Sequence, residues 1–182
     1  MKKIALLLAL AFTTSIVTAQ KYYTKTGSTT FEASVPAVEE VKATNSSTTA
    51  IINTANGDFA ALILVKGFRF KNALMEEHFN ENYAESDDYP KATFKGSITG
   101  FDTSKLSETA TNHSFSGTLT FHGKTKPLNN EKLSLALADG KIIVTGEFAV
   151  MVSDFDIEIP KVVNDKLSND VSVTYSFELN KK

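Results

Sequence analysis

The chain has 182 residues, 42% hydrophobic and 22% charged, a size and balance that suit one folded domain. A formal net charge of −2 and a single arginine, Arg69, give no electrostatic footing for nucleic-acid binding. Cysteine is absent, which excludes disulfides, thiolate metal sites and cysteine catalysis; stability must come from an apolar core, for which 13 Phe and 5 Tyr supply volume.

The N-terminus reads as a secretory signal peptide. Lys2 and Lys3 precede a mostly apolar run from Ile4 to Val17, and Val17-Thr18-Ala19 places small residues where a signal peptidase cuts. The run falls short of the ~20 residues that span a bilayer. The expectation is a signal peptide over 1–19 and one mature domain over 20–182 in the periplasm or medium, with no transmembrane segment left. Losing Lys2 and Lys3 takes the formal charge from −2 to −4.

Beyond Gln20 the dominant signal is alternation with a period of two, which puts one set of side chains on one face of a strand. The stretch Thr44-Asn45-Ser46-Ser47-Thr48-Thr49 is polar and reads either as a loop or as the middle of a long exposed hairpin. Asn45-Ser46-Ser47 and Asn112-His113-Ser114 also match the glycosylation sequon. Asn56-Gly57 is a hairpin signal between strands near Thr49–Asn53 and Phe59–Lys66. One helix follows, over Asn72–Tyr83. Met75, Phe79 and Tyr83 recur at steps of four with Leu74 and His78 beside them, Glu76, Glu77 and Glu81 lie opposite, and Asn72 can cap the start.

After Pro90, strands resume. Phe94 and Ile98 alternate with Thr93, Lys95, Ser97 and Thr99; Phe115, Leu119 and Phe121 alternate with Ser116, Thr118 and Thr120. His122-Gly123 marks a turn. Leu133, Leu135 and Leu137 lead through Asp139-Gly140 into Ile142–Val150. Asp154, Asp156 and Glu158 alternate with Phe155, Ile157 and Ile159 and read as a further half-solvated strand. Val171, Val173, Tyr175, Phe177 and Leu179 form the clearest strand. Eight to ten short strands with one helix predict an all-β fold, a sandwich or a closed antiparallel barrel. Closure removes exposed edges, and a barrel of about eight strands either fills itself or holds one small ligand.

The chemistry-bearing residues point away from catalysis. His78, His113 and His122 form no HExxH pair, no Gly-x-Ser-x-Gly elbow occurs, and the acids at 154, 156 and 158 lack the calcium-loop glycine. No catalytic or metal site is expected. His78 reads as a polar lid on an apolar interior and His122 as part of a hairpin. Phe68, Phe70, Phe79, Phe94, Phe115, Phe121 and Phe148 either line a ligand channel or pack a filled core; alternation alone leaves both open.

Two long blocks carry a family resemblance. The first runs Phe68-Arg69-Phe70-Lys71-Asn72-Ala73-Leu74-Met75-Glu76-Glu77-His78-Phe79-Asn80-Glu81-Asn82-Tyr83 and continues at Tyr89-Pro90-Lys91-Ala92-Thr93-Phe94. The second is Phe115-Ser116-Gly117-Thr118-Leu119-Thr120-Phe121-His122-Gly123-Lys124-Thr125-Lys126-Pro127. A weaker third spans Phe148 to Pro160. With these the sequence resembles the YceI family of polyisoprenoid-binding bacterial proteins. The resemblance implies an all-β, lipocalin-like antiparallel barrel of about eight strands, with a short amphipathic helix near one mouth and an isoprenoid or fatty-acid-like lipid inside. It implies Phe68, Phe70, Leu74, Met75, His78, Phe79, Tyr83, Phe94, Phe115, Phe121 and Phe148 as the ligand-contacting set, and carriage, storage or sensing of that ligand as the role. The alternative is a structural or interaction protein of the cell envelope with a filled core. Whether the chain forms a homodimer stays open.

Overall fold

The computed structural model describes residues 20–36 and 38–182; the expected signal peptide lies outside them. Among the described residues nine strands follow one another: β1 (Lys21–Ser34), β2 (Lys42–Asn53), β3 (Asp58–Leu64), β4 (Arg69–Phe70), β5 (Lys91–Ile98), β6 (Thr111–Phe121), β7 (Lys124–Ala138), β8 (Lys141–Met151) and β9 (Leu167–Lys181). One α-helix, α1 (Ala73–His78), sits between β4 and β5. Eight strands pair antiparallel in the order β1-β9-β8-β7-β6-β5-β3-β2, and β2 pairs back to β1 to close the barrel. The two-residue β4 hangs on β2 through Ala43–Phe70 and Thr44–Arg69. Closure decides for the barrel over the sandwich.

Tight turns set the direction of the chain. Asp139-Gly140 and His122-Gly123 both place two successive residues at positive φ, 52° and 74° in the first, 47° and 69° in the second. That is the hairpin turn whose twist matches the flanking strands, and glycine takes its second position without steric cost. The connections thereby sort to two ends. The β2–β3, β5–β6 and β7–β8 turns lie at the lower end. The upper end carries the β1–β2 loop, the 65–90 segment with α1, the His122-Gly123 turn and the long β8–β9 connection.

Two ladders stop short and leave gaps toward the upper end. β7 and β8 pair only from Ala138–Lys141 to Leu133–Gly146, although both strands run on. β2 and β3 pair only from Ile52–Phe59 to Thr49–Leu62. The second gap lies beside the polar stretch at 44–49, which is no loop but the middle of the long β1–β2 hairpin, with Ser46 and Ser47 turned to solvent. The stretch lies within β2, with Asn45 and Thr48 fully buried. Asn45 donates through Nδ2 to the Leu64 carbonyl at 3.0 Å, and the Thr48 hydroxyl meets Thr29 Oγ1 at 2.9 Å. Buried polar groups persist when they are paired in this way. A fully buried Asn45 is no site for a glycan, so that sequon is structural.

The interior divides into two halves. The lower half is solid: Ile52, Ile98, Leu106, Leu135, Ile142 and Leu179 are all buried in one cluster. The upper half is hollow, and its walls form the candidate site below.

The helical segment is shorter and less regular than its spacing predicts. Asn72 caps α1 by accepting from Leu74 N at 2.9 Å. After His78 the chain widens into a π turn over Phe79–Tyr83, which breaks the four-residue stripe. Leu74 is 57% exposed. Glu76 does not face solvent as predicted. Its carboxylate turns back to take Arg69 at 2.8 Å and the Phe70 amide at 3.2 Å, pinning α1 to β4. The 154–159 segment also departs from its prediction. Val152–Phe155 is a 3-10 turn ended by Asp156 at φ 56°, not a strand, because Asp154 bonds back to the Met151 amide at 2.7 Å.

Candidate functional site

The upper half of the barrel encloses a cavity of about 550 Å³, within the range of sites that hold one small-molecule ligand. Its floor is a layer of five aromatic side chains, Phe59, Phe94, Phe115, Tyr175 and Phe177. Phe94 meets Phe115 edge to face at 5.2 Å, Tyr175 stacks on Phe177 at 5.2 Å, and Phe59 links the two groups at 5.5 Å from Phe94 and 6.2 Å from Phe177. Such pairs add about 0.5–1.5 kcal/mol each beyond their burial. They seal the hollow half from the solid half.

Room for these rings is made by glycines in mid-strand. A β-carbon on Gly96 or Gly117, which face each other across β5 and β6, would stand 2.7 Å from the tip of Phe94. One on Gly27 would stand 2.5 Å from Phe177 and one on Gly146 would stand 2.2 Å from the Tyr175 hydroxyl. Sequence reading passed over these glycines. The available signal was glycine inside a strand pattern, which marks close approach of another group.

The upper part of the cavity is a second aromatic cluster. Phe79, the first residue of the π turn, lies 5.1 Å from Phe31, 5.9 Å from Phe68 and 5.3 Å from Phe70. Phe31 and Phe68 meet edge to face at 5.0 Å. Phe94 lies away from this cluster, in the floor against Phe59 and Phe115. Leu74, Met75, His78 and Tyr83 also line the cavity from the helical segment, Phe121 and Phe148 line it from β6 and β8, and Phe115 closes its base. All eleven residues singled out from the sequence therefore border one cavity. The β8–β9 connection adds Ile157, Ile159 and Val163, which the strand reading of that segment did not foresee.

Polar groups on the lining are few. Glu39, Asn72, His78, Lys166 and Ser168 stand at the rim. Deeper down, the Tyr175 hydroxyl is buried with no hydrogen-bond partner among the described residues. Burial, reinforced by the nearby charge of Glu131, pushes its pKa well above the usual phenol value, so it stays protonated.

The gap between β7 and β8 is bridged by the 3-10 turn. Asp154 accepts from Lys126 of β7 and from the Met151 amide of β8. Those hydrogen bonds hold its carboxyl below the usual range, with Lys126 contributing most. Lys124 pairs with Asp156 at 2.6 Å, and that contact raises the lysine pKa. His122 does more than serve its hairpin. Its Nδ1 lies 2.9 Å from the Phe155 carbonyl and its Nε2 lies 2.9 Å from Glu85 Oε2, with the Tyr89 ring at 4.6 Å. Both partners only accept, so each ring nitrogen that carries a proton donates to the partner it faces. The β6–β7 hairpin thus ties together the helical segment and the 3-10 turn, the two flanks of the mouth. Among the described residues, no group of His, Asp and Glu is placed to hold a metal ion.

This geometry defines the class: a closed, lipocalin-like antiparallel barrel, solid below and hollow above, with an apolar chamber open at one end. The model of the YceI-like domain matches residues 13–179, and the chain belongs to that family. No curated protein sequence matches it. Among solved structures, a domain from Saccharophagus degradans described as polyisoprenoid binding and implicated in plant cell wall breakdown superposes with a TM-score of 0.77. It is 17% identical, over 90% of this chain and 99% of that one. BcnA of Burkholderia cenocepacia gives 0.63 at 15% identity, over 84% of this chain and 95% of that one. A YceI protein of Campylobacter jejuni gives 0.62 at 17% identity, over 100% and 99%. At these identities the likeness establishes the shared fold.

Proposed function

We propose that the protein binds one apolar, chain-like molecule, a polyisoprenoid or fatty-acid derivative, in the upper half of the barrel, and carries, stores or senses it outside the cytoplasm. The observation that carries this reading is the hollow. A barrel of this size can fill itself with side chains, as the lower half does, yet the upper half keeps about 550 Å³ lined by Phe, Leu, Ile and Val. A chain entering it gains about 25 cal/mol for each Å² of apolar surface withdrawn from water. That gain is not specific to any headgroup, which fits the scarcity of polar groups on the lining. The eleven residues Phe68, Phe70, Leu74, Met75, His78, Phe79, Tyr83, Phe94, Phe115, Phe121 and Phe148 are the proposed contacts. The structural likeness to a polyisoprenoid binding domain supports the ligand class.

The test is gentle purification, organic extraction and mass spectrometry. A prenyl or acyl compound in stoichiometric amount is the expected result. A protein that emerges empty and takes up no prenyl alcohol or fatty acid when offered one would leave the rival, an envelope protein acting through its surface. Recovery in the envelope or medium with Gln20 near the new N-terminus is expected alongside; a cytosolic chain that keeps Met1 would remove the claim of export.

A further inference from the structure

Large apolar side chains that reach water are not scattered over this barrel. Among the described residues they are Val38, Leu64, Leu74, Tyr89, Met151 and Val162, and every one belongs to the upper end. Val38 lies in the β1–β2 loop, Leu74 in α1 and Val162 in the β8–β9 connection, while Leu64 and Met151 end β3 and β8 and Tyr89 precedes β5. The lower turns present Asn56, Glu108 and Asp139 to solvent instead. A lone exposed hydrophobe needs no explanation, but segregation of all of them to one end does. Val162, at 82% exposure, has almost no protein contact that would account for an apolar residue there.

The rim is continuous with the cavity. Leu74 is both exposed and part of the lining, and Val163, next to Val162, lines the chamber. The charges around it are of both signs: Lys71, Lys161 and Lys166 stand among Glu39, Glu77 and Glu158, all exposed. Among the described residues, this end therefore carries no polybasic face that selects anionic lipid. Tyr89 is of the residue type that settles at headgroup depth. An apolar chain that left the chamber through water would lose its burial energy on the way, whereas one passing directly into hydrocarbon would keep it.

The geometry points to the upper end as a docking surface for a lipid bilayer: Val38, Leu74 and Val162 enter the outer hydrocarbon boundary, with no requirement for anionic lipid, and the ligand passes between bilayer and chamber. The passage of ligand rests on the reading under Proposed function; the docking itself does not.

Flotation of the mature chain with phosphatidylcholine vesicles, and with phosphatidylcholine–phosphatidylglycerol vesicles, tests it. Binding to both, with little effect of salt, is expected. Val38→Glu with Val162→Glu touches neither the lining nor the core and is expected to lower the floated fraction about tenfold, equivalent to about 1.4 kcal/mol. The same pair of changes slows transfer of a fluorescent farnesol to acceptor vesicles while leaving its affinity in solution unchanged. Ala55→Glu with Thr109→Glu, at the lower end, changes neither readout. Failure to float on either vesicle overturns the proposal, as does binding only to anionic vesicles that salt abolishes. A rim pair that dissolves a dimer in solution without altering flotation also overturns it, because the rim then serves a second copy. Flotation by a protein that accepts no farnesol supports the docking surface and sinks the ligand reading; uptake of farnesol without flotation does the reverse.

Discussion

The Tyr175 hydroxyl lies over Gly146 of the neighbouring strand so closely that a β-carbon at position 146 would stand 2.2 Å from it. No real contact is that short, so the single methyl of Gly146→Ala must displace the ring. Tyr175 stacks on Phe177 and packs near Phe115, so the floor moves as a group. The variant should lose about 1–3 kcal/mol, the usual cost of overpacking. It should also bind prenyl ligands less well, because a displaced ring enters the chamber. Thermal unfolding with and without farnesol measures both; a variant with wild-type melting and wild-type affinity would mean the floor is loose.

This pair also shows which parts of the site could be read from the sequence and which could not. Alternation in β5, β6 and β9 marks Phe94, Phe115, Tyr175 and Phe177 as inward, because a strand has only two faces. The same alternation says nothing about what lies opposite, so the glycines that admit the rings stayed silent. The buried Asn45 and Thr48 misled for a related reason. Their polarity suggests solvent, but they sit where the β2–β3 ladder ends and the freed groups need partners. The helix was legible as an amphipathic stripe and capped where predicted. Its π turn and the inward turn of Glu76 depend on Arg69 and the Phe70 amide, contacts that spacing within the helix cannot show.

Phe79 is half-buried against Phe31, Phe68 and Phe70 and borders the cavity. Phe79→Ala should therefore cost less than the roughly 3–5 kcal/mol of a ring in a packed core. Its larger effect should fall on binding. A ligand raises the melting temperature in proportion to the logarithm of its concentration over its Kd, so the farnesol-induced shift should shrink markedly in the variant. Retention of both the stability and the shift would show that the helical segment does not close the chamber. Phe79→Glu should be worse on both measures, since it sets a charge against apolar walls.

Asp154 gives a pH dependence with a definite sign. Its folded pKa is lowered by Lys126 and by the Met151 amide. A carboxyl with a depressed pKa contributes stability above its unfolded value, about 3.9, and loses it as the pH falls through the folded value. The Asp154 and Lys126 side chains keep 18% and 25% exposure, so solvent screening limits the contribution to no more than about 1 kcal/mol. Asp154→Asn should melt slightly lower at neutral pH, and the two curves should converge in acid. Parallel curves down to the acid limit would mean that the bridge across the β7–β8 gap is not felt in stability.

His122 holds the two flanks of the mouth from a turn position at φ 47°. Asparagine is at home in that conformation, so His122→Asn keeps the hairpin and removes the reach to Phe155 and Glu85. The expected loss is about 1–3 kcal/mol for the hydrogen bonding that His122 provides there. Amide exchange should quicken in residues 152–156 and 83–86 while the lower half of the barrel stays protected. Uniform quickening would instead report a global loss of stability.

The aromatic floor also fixes how long a chain can enter. Phe115 is 1% exposed, touches Phe59, Phe94, Phe148 and Tyr175, and stands between the chamber above and the solid half below. Phe115→Ala removes the central ring of that layer and should cost about 3–5 kcal/mol, since the surrounding strands cannot collapse into the space. The space it leaves joins the chamber and deepens it. Wild type should prefer a shorter prenyl alcohol such as farnesol over geranylgeraniol more strongly than the variant does, and the ratio of the two affinities should move toward the longer chain. If the alanine variant does not fold, Phe115→Leu trims the ring more gently and should move the ratio in the same direction by less. A ratio unchanged in a folded variant would mean that the bound chain stops short of the floor, held by the upper aromatic cluster alone.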